Sequence, residues 1–278
     1  MITLILAILG SASFGLIVKA AHRRGCNLLA VGLINYVVAA AIYGIITIDL
    51  PPAESITASL GHAGGLFFAT AFFLLTRVLR TRGISISAAI LQLTVLFPVT
   101  VGIFVWGEQV NWVQMVGILL SLLALPLLSI DPTYPFSLKG AGLRLTCGLL
   151  VAGGCCQLTM HSFHYLSVPV DRSHLFLYIF GTAVFFSALS WVLVERKMCW
   201  RDLFYGSALG VSNCLGGYML ITSMQTLPGM VVFPVTSAAA LLLTMMVAWH
   251  YWDERLGRYA RFGMIVTLCA VVCVNFAR

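Results

Sequence analysis

Charge is what this sequence has least of. Only 9% of its 278 residues are charged, against about a quarter in a soluble domain. Hydrophobic residues make up 60%, and mean hydropathy is +1.01. A water-soluble fold cannot hide that much apolar surface, so lipid is the solvent for most of the chain. Long polar stretches are also missing: the longest, DPTYPFSLKG at 131–140, is too short for a soluble domain. No segment alternates apolar and polar residues as a barrel strand does, which argues against a β-barrel. CxxC pairs are absent. The eight cysteines are scattered through apolar runs, with Cys155 beside Cys156 and Cys269 one turn from Cys273. They read as small packing residues, and neither a metal nor a cofactor is expected.

What is there is a succession of about ten apolar segments: 2–21, 26–48, 56–79, 84–105, 111–130, 140–163, 174–194, 202–224, 229–250 and 259–277. Each approaches the roughly 20 residues needed to cross about 30 Å of hydrocarbon as a helix. The fold class expected is all-α, a polytopic membrane protein. Ser11-Ala12-Ser13 resembles a leader cleavage site, but the basic residues Lys19, Arg23 and Arg24 follow the first apolar run instead of preceding it, so segment 1 reads as a retained helix.

A shift of 146 positions (254 − 108) lays the second half of the chain on the first without a gap over 72–124. Phe72 falls on Tyr218, Thr76 on Thr222 and Gly83 on Gly229. Trp106, Glu108 and Gly117 fall on Trp252, Glu254 and Gly263. Leu and Val matches are cheap in a membrane protein; the Gly, Trp and Glu matches are not. An internal duplication follows, with repeats 1–130 and 131–278. Five segments per repeat is an odd number, so the second repeat enters the membrane from the opposite side. The basic residues agree. Arg77, Arg80 and Arg82 correspond to Ser223, Thr226 and Pro228, whereas Gln109, Trp112 and Met115 correspond to Arg255, Arg258 and Arg261. Of the sixteen Lys and Arg, all but Arg172 and Arg278 lie in or beside odd-numbered connections. By the positive-inside rule these connections are cytoplasmic and both termini extracytoplasmic. The net charge of +7 is thus an orientation signal spread over short loops, not a nucleic-acid patch. In each repeat Trp106 or Trp252 reads as part of an interfacial aromatic belt. Glu108 reads as a carboxylate suited to the N-terminus of segment 5, or as a gate pairing with a loop arginine. Gly117 reads as a point of close helix approach.

Three stretches resemble the drug/metabolite transporter superfamily of the ten-helix, EamA-domain type. They are ILGSASFGLIVKAA (8–21), WGEQVNWVQMVGILLSLLAL (106–125) and its repeat at 252–270. The likeness spans essentially the whole chain. Gly10-Ser11 departs from the Trp-Gly frequent in relatives, and Asn35 stands where relatives often carry Arg. The resemblance implies a secondary transporter of the bacterial inner membrane working by alternating access. Each inverted repeat would rock against the other around a midplane site. Polar residues near mid-depth are the candidates to bind substrate, because they are costly in lipid without a purpose or a partner. They are Ser13, Asn35, Gln92, Gln157, His161, Asn213, Tyr218 and Thr236.

None of the nine acids falls in the middle of a segment. A buried carboxylate is what an exporter of lipophilic cations would exchange for protons, so the cargo expected is a neutral, zwitterionic or anionic metabolite. The partners implied are that small molecule and the lipid bilayer, without nucleic acid; homo-oligomerisation stays open. Two other readings compete. An intramembrane lipid-modifying enzyme needs a clustered nucleophile, base or metal set. Asp171-Arg172 with His174, or His161 with His164, come nearest and are too few, so the chain is not read as an enzyme. A non-transporting receptor or scaffold is the third.

Overall fold

A computed structural model describes residues 2–129, 141–167, 171–252 and 258–276. Its helices are α1 (Ile2–Arg23), α2 (Leu28–Ile46), α3 (Ser55–Leu93), α4 (Leu96–Phe104), α5 (Trp112–Ser129), α6 (Ala141–Leu166), α7 (Arg172–Val194), α8 (Trp200–Ser223), α9 (Gly229–Trp252) and α10 (Arg258–Phe276). No strand occurs among the described residues. Six stretches are long and apolar enough to cross a bilayer: α1, α2, Ser55–Thr81 of α3, Leu143–Leu166 of α6, α7, and Gly229–Tyr251 of α9. α5 and α10 carry shorter apolar runs, Trp112–Ala124 and Arg261–Cys273. The chain is a multi-pass helical membrane protein.

One boundary differs from the sequence reading. No gap in helical hydrogen bonding marks the turn expected between residues 79 and 84: such bonding continues to Leu93 and lapses only around Thr94 and Val95, so α3 is not one straight rod. Arg80-Thr81-Arg82-Gly83 contains no proline, and glycine alone weakens a helix without stopping it. The matching stretch of the second half has Pro228 before Gly229, and α9 starts there. The chain nonetheless reverses direction where the sequence reading asked it to. Gly64 packs on Thr159 and Gly148 on Leu74, so α3 begins antiparallel to α6. Gly153, Gly154 and Gly102 meet Thr94, Phe97 and His161 in turn, so α4 runs parallel to α6. The reversal therefore falls between Leu74 and Thr94.

Helix pairing follows a simple rule. α1 packs along α8, α2 lies against α7 and α8, α3 lies against α6 and α7, and α5 packs along α10. Exchanging α1–α5 for α6–α10 turns α1 with α8 into α6 with α3, and α2 with α8 into α7 with α3. The pairs α2–α7 and α5–α10 map onto themselves. Sequence neighbours such as α1 and α2, or α7 and α8, touch far less. Helices α1–α5 and α6–α10 therefore do not form separate bundles but interlace. One packing group is α1, α2, α8 and α9 and the other is α6, α7 and α3, while α4 lies between them against both α6 and α9.

Small residues make these contacts possible. α1 crosses α8 at Gly10 and Gly216, where a β-carbon on Gly10 would lie 2.5 Å from Gly216 Cα. There Ser212 Oγ donates to Gly10 O at 2.9 Å. Gly206 and Gly210 of α8 approach the α2 backbone at Val31 and Asn35. Without a hydrophobic drive between helices in lipid, such close packing is the main adhesive. Where the groups meet, Tyr36 and Tyr43 of α2 stack on Phe180 and Phe176 of α7. The order of these pairs shows that α2 and α7, which correspond under the 146-residue shift, run antiparallel.

Two acids fix the helix ends. Asp202 Oδ2 accepts from Cys199 N at 2.9 Å, and its Oδ1 accepts from Asn27 N at 3.0 Å, tying the start of α8 to the start of α2. Asp171 Oδ2 accepts from Glu54 N at 2.9 Å and Thr57 Oγ1 at 3.1 Å, tying α7 to the start of α3. These satisfy free N–H groups that a helix cannot pair internally.

Candidate functional site

Contacts gather the even-numbered connections at one end of the molecule, called here the Glu108 end. Asp171 reaches Glu54, Arg172 reaches Thr222, and Glu108 reaches α6 and α9. The opposite end, the Asn27 end, holds Asn27 with Lys197 and Arg80 with Glu195.

Glu108 is the residue whose place the sequence reading missed. It does not serve α5, whose start already carries its own box: Gln114 N donates to Asn111 Oδ1 at 2.8 Å, and Asn111 N to Gln114 Oε1 at 3.1 Å. The connection instead folds inward, helped by Gly107 at φ +61°, a conformation glycine adopts without strain. The Glu108 side chain is 2% exposed. Its Oε1 accepts from His161 Nε2 at 2.8 Å, Tyr165 OH at 2.6 Å and Gly229 N at 3.0 Å. Its Oε2 accepts from Met230 N at 2.7 Å. Glu108 thus caps α9, not α5, and its side-chain partners are a histidine and a tyrosine, not a loop arginine. Burial pushes its pKa up, but the hydrogen bonds from His161, Tyr165 and Met230 outweigh that and hold it at about 2. Gly102 and Gly229 leave room for the cluster; a β-carbon on Gly229 would overlap the His161 ring. Trp106, read as a belt residue, is half-buried and stacks on Tyr165 with ring centroids 4.5 Å apart. Glu254 and Trp252, their counterparts, give no side-chain comparison: Glu254 lies outside the described residues, as does the Trp252 side chain.

A signal for this arrangement exists in the sequence. Leu227-Pro228-Gly229 starts a helix with no Ser, Thr, Asp or Asn to cap it. A capless N-terminus near lipid needs an acceptor from elsewhere.

The eight candidates fall into separate places. His161 is fully buried, with Nδ1 unpartnered. It packs edge-on against Phe233 of α9 at 5.5 Å. Gln157 lies one turn before His161, and Thr236 lies three residues beyond Phe233. α6 runs toward the Glu108 end and α9 away from it, so Gln157 and Thr236 sit at matching depth, one turn below the cluster. Thr236 is 3% exposed, and its hydroxyl has no partner. Asn35 and Asn213 form a second group. Asn213 Nδ2 donates to Asn35 Oδ1 at 3.4 Å, leaving the Asn35 amide nitrogen buried and unpaired. Tyr218 belongs to the Glu108 end. The Arg172 guanidinium lies 5.3 Å from its ring centroid and donates to Thr222 Oγ1 at 2.7 Å. Tyr218 also borders an open, mostly apolar pocket of about 370 Å³ with Tyr43, Ser173 and Cys214. Ser13 returns its hydroxyl to Leu9 O of its own helix at 2.8 Å. The side chain of Gln92 lies outside the described residues.

No protein-family model matches the chain. An uncharacterized protein of Haemophilus influenzae is 22% identical over 298 residues, spanning 98% of this chain and 97% of its own length. A crystal structure superposes over 99% of both chains with a TM-score of 0.79 at 13% identity. The whole-chain arrangement of helices is thus one that a solved protein also adopts.

Proposed function

We propose that this protein is a secondary transporter of the ten-helix drug/metabolite type, built from inverted repeats 1–130 and 131–278. It carries a small neutral, zwitterionic or anionic metabolite by alternating access. The observation that carries this reading is the exchange rule in the helix pairing, together with the antiparallel course of the corresponding helices α2 and α7. A packing scheme whose main pairs survive when the repeats are swapped has a symmetry-related twin that opens to the other side, which is the physical basis of alternating access. Buried polar groups without partners, at Asn35, His161 and Thr236, are costly in lipid and supply donors and acceptors a passing solute can use. The basic residues Arg24, Arg80, Arg196 and Lys197 gather near the Asn27 end, which supports placing that end in the cytoplasm. The Haemophilus relative supports a bacterial inner membrane.

Uptake into proteoliposomes, screened over amino acids, sugars and nucleosides, tests the reading; saturable uptake of one class is the expected result. No uptake above empty liposomes, with the protein folded and inserted, overturns it. Reporter tags on Gln109 and Arg258 should fall in opposite compartments, and finding both in one compartment removes the inverted repeat. Glu108 is buried, but its oxygens are occupied by four donors, so lipophilic cations should be poor cargo. Proton-driven resistance to quaternary ammonium dyes would contradict this.

A further inference from the structure

We infer that Glu108 is the gating residue of the Glu108 end: its carboxylate fastens the two interlaced helix groups together, and a solute passes this end only when it lets go. The inference rests on the transport reading and adds where the path closes and by which bond.

Four observations converge. First, the donors come from both groups. His161 and Tyr165 belong to α6, while Gly229 N and Met230 N belong to α9. Glu108 itself follows α4, which lies between α6 and α9 and packs against both. A carboxylate serving only to cap a helix needs that helix alone; this one spans the seam. Second, the acid is not required by its own neighbourhood, since Asn111 and Gln114 already close the start of α5. Third, a second tie crosses the same seam at the same end, from Arg172 of α7 to Thr222 and Tyr218 of α8. Fourth, Gln157 and the unpaired Thr236 hydroxyl come about one turn deeper on α6 and α9, the two helices the carboxylate joins. A lid placed over polar groups is what a closed path looks like. Among the described residues, the titratable groups facing the carboxylate are His161, Tyr165 and, half-buried on α6, His164; from α4 and α9 it meets Gly102 and the two backbone amides.

The test needs no cargo. Spin labels on genetically encoded p-acetylphenylalanine leave the native cysteines in place. One pair, at Leu166 and Gln225, spans the seam at the Glu108 end. A second pair, at Arg24 and Thr81, spans it at the Asn27 end. All four positions are exposed. Distances are measured in liposomes for the wild type, Glu108→Gln and Tyr165→Phe. Gln keeps the shape but loses the charge that makes four donors converge. The expected result is reciprocal: in Glu108→Gln the Leu166–Gln225 distance shifts longer and the Arg24–Thr81 distance shifts shorter. Tyr165→Phe shifts both the same way by less. Unchanged distances, or loosening at the Glu108 end without closure at the other, assign Glu108 a purely structural role and overturn the inference. Should Glu108→Gln fail to insert, Tyr165→Phe decides alone. A reciprocal shift in a protein that carries nothing in proteoliposomes would sink the transport reading and not the gate; normal uptake with no shift would do the opposite.

Discussion

Replacing Gly10 with alanine should loosen the α1–α8 crossing, and the structure sets the size of the effect. The new β-carbon would sit 2.5 Å from Gly216 Cα and 2.6 Å from Gly216 N. Ordinary contact is 3.4–4 Å, so the two backbones must separate by about 1 Å. A gap of that order forfeits roughly a quarter to a half of the dispersion energy along the seam. The obstructing atoms are backbone and cannot rotate away. Overpacking of this kind costs about 1–3 kcal/mol, and separation also stretches the Ser212 bond to Gly10 O. Gly216→Ala is milder, because its β-carbon would meet Gly10 C at 3.2 Å, which a few tenths of an ångström relieves. Gly181→Ala is the control: nothing lies within 4 Å of its β-carbon, and alanine favours the helix. At about 2–4 °C per kcal/mol, Gly10→Ala should unfold roughly 2–12 °C below Gly181→Ala, with Gly216→Ala between them. Helical circular dichroism during heating in detergent reads this order. If Gly10→Ala unfolds with or above Gly181→Ala, the close crossing is not what holds α1 to α8.

Other perturbations follow from the acids and amides. Glu108 titrates near 4.5 when exposed and at about 2 when folded, so its contribution is complete above the first value and disappears as pH falls toward the second. The difference in unfolding temperature between wild type and Glu108→Gln should be present at pH 6 and close between about pH 4.5 and 2; a constant difference would refute the assignment. Asp171→Ala and Asp202→Ala should each cost about 0.5–2 kcal/mol as lost caps, with faster amide exchange confined to the start of α3 for the first and to the starts of α2 and α8 for the second. Exchange that rises across the whole protein would contradict local capping. Asn213→Leu strands both ends of the Asn35 amide, so it should destabilise more than the double change Asn35→Leu with Asn213→Leu. The reverse order in a thermal series would show that the pair is not coupled.

The sequence displays the apolar segments plainly because lipid leaves no other solution for their backbones than helices. It displays the end of α8 and the start of α9 as well, since Pro228 punctuates them. It hides the boundary between α3 and α4, because no proline stands in 79–95 and Gly83 alone does not interrupt helical hydrogen bonding. The duplicated Trp, Glu and Gly letters mark a special connection, but not its target. The capping rule points Glu108 to the nearest helix start in the chain, and that start is already filled by Asn111 and Gln114. The partner lies across the seam, on a helix 121 residues away.

Interlacing has the same origin. Five helices of one repeat could form a bundle if their neighbours in sequence carried matching small faces. In this chain the glycines that permit close approach match across the repeats: Gly10 faces Gly216, Gly206 and Gly210 face α2, and Gly64 and Gly65 face α6 and α7. In lipid, where apolar side chains gain nothing by leaving solvent for one another, backbone proximity decides which helices stay together. Which helices pack together is therefore set by the small residues, not by order along the chain. Any motion that exposes the two ends in turn must slide one mixed group past the other, along the seam where Tyr36 and Tyr43 meet Phe180 and Phe176. Aromatic rings stacked across α2 and α7 can shear without losing contact, whereas the Glu108 cluster has four directional bonds and cannot. In the proposed transport cycle the central stack would serve as the pivot, and the bonded end is where movement would have to be released.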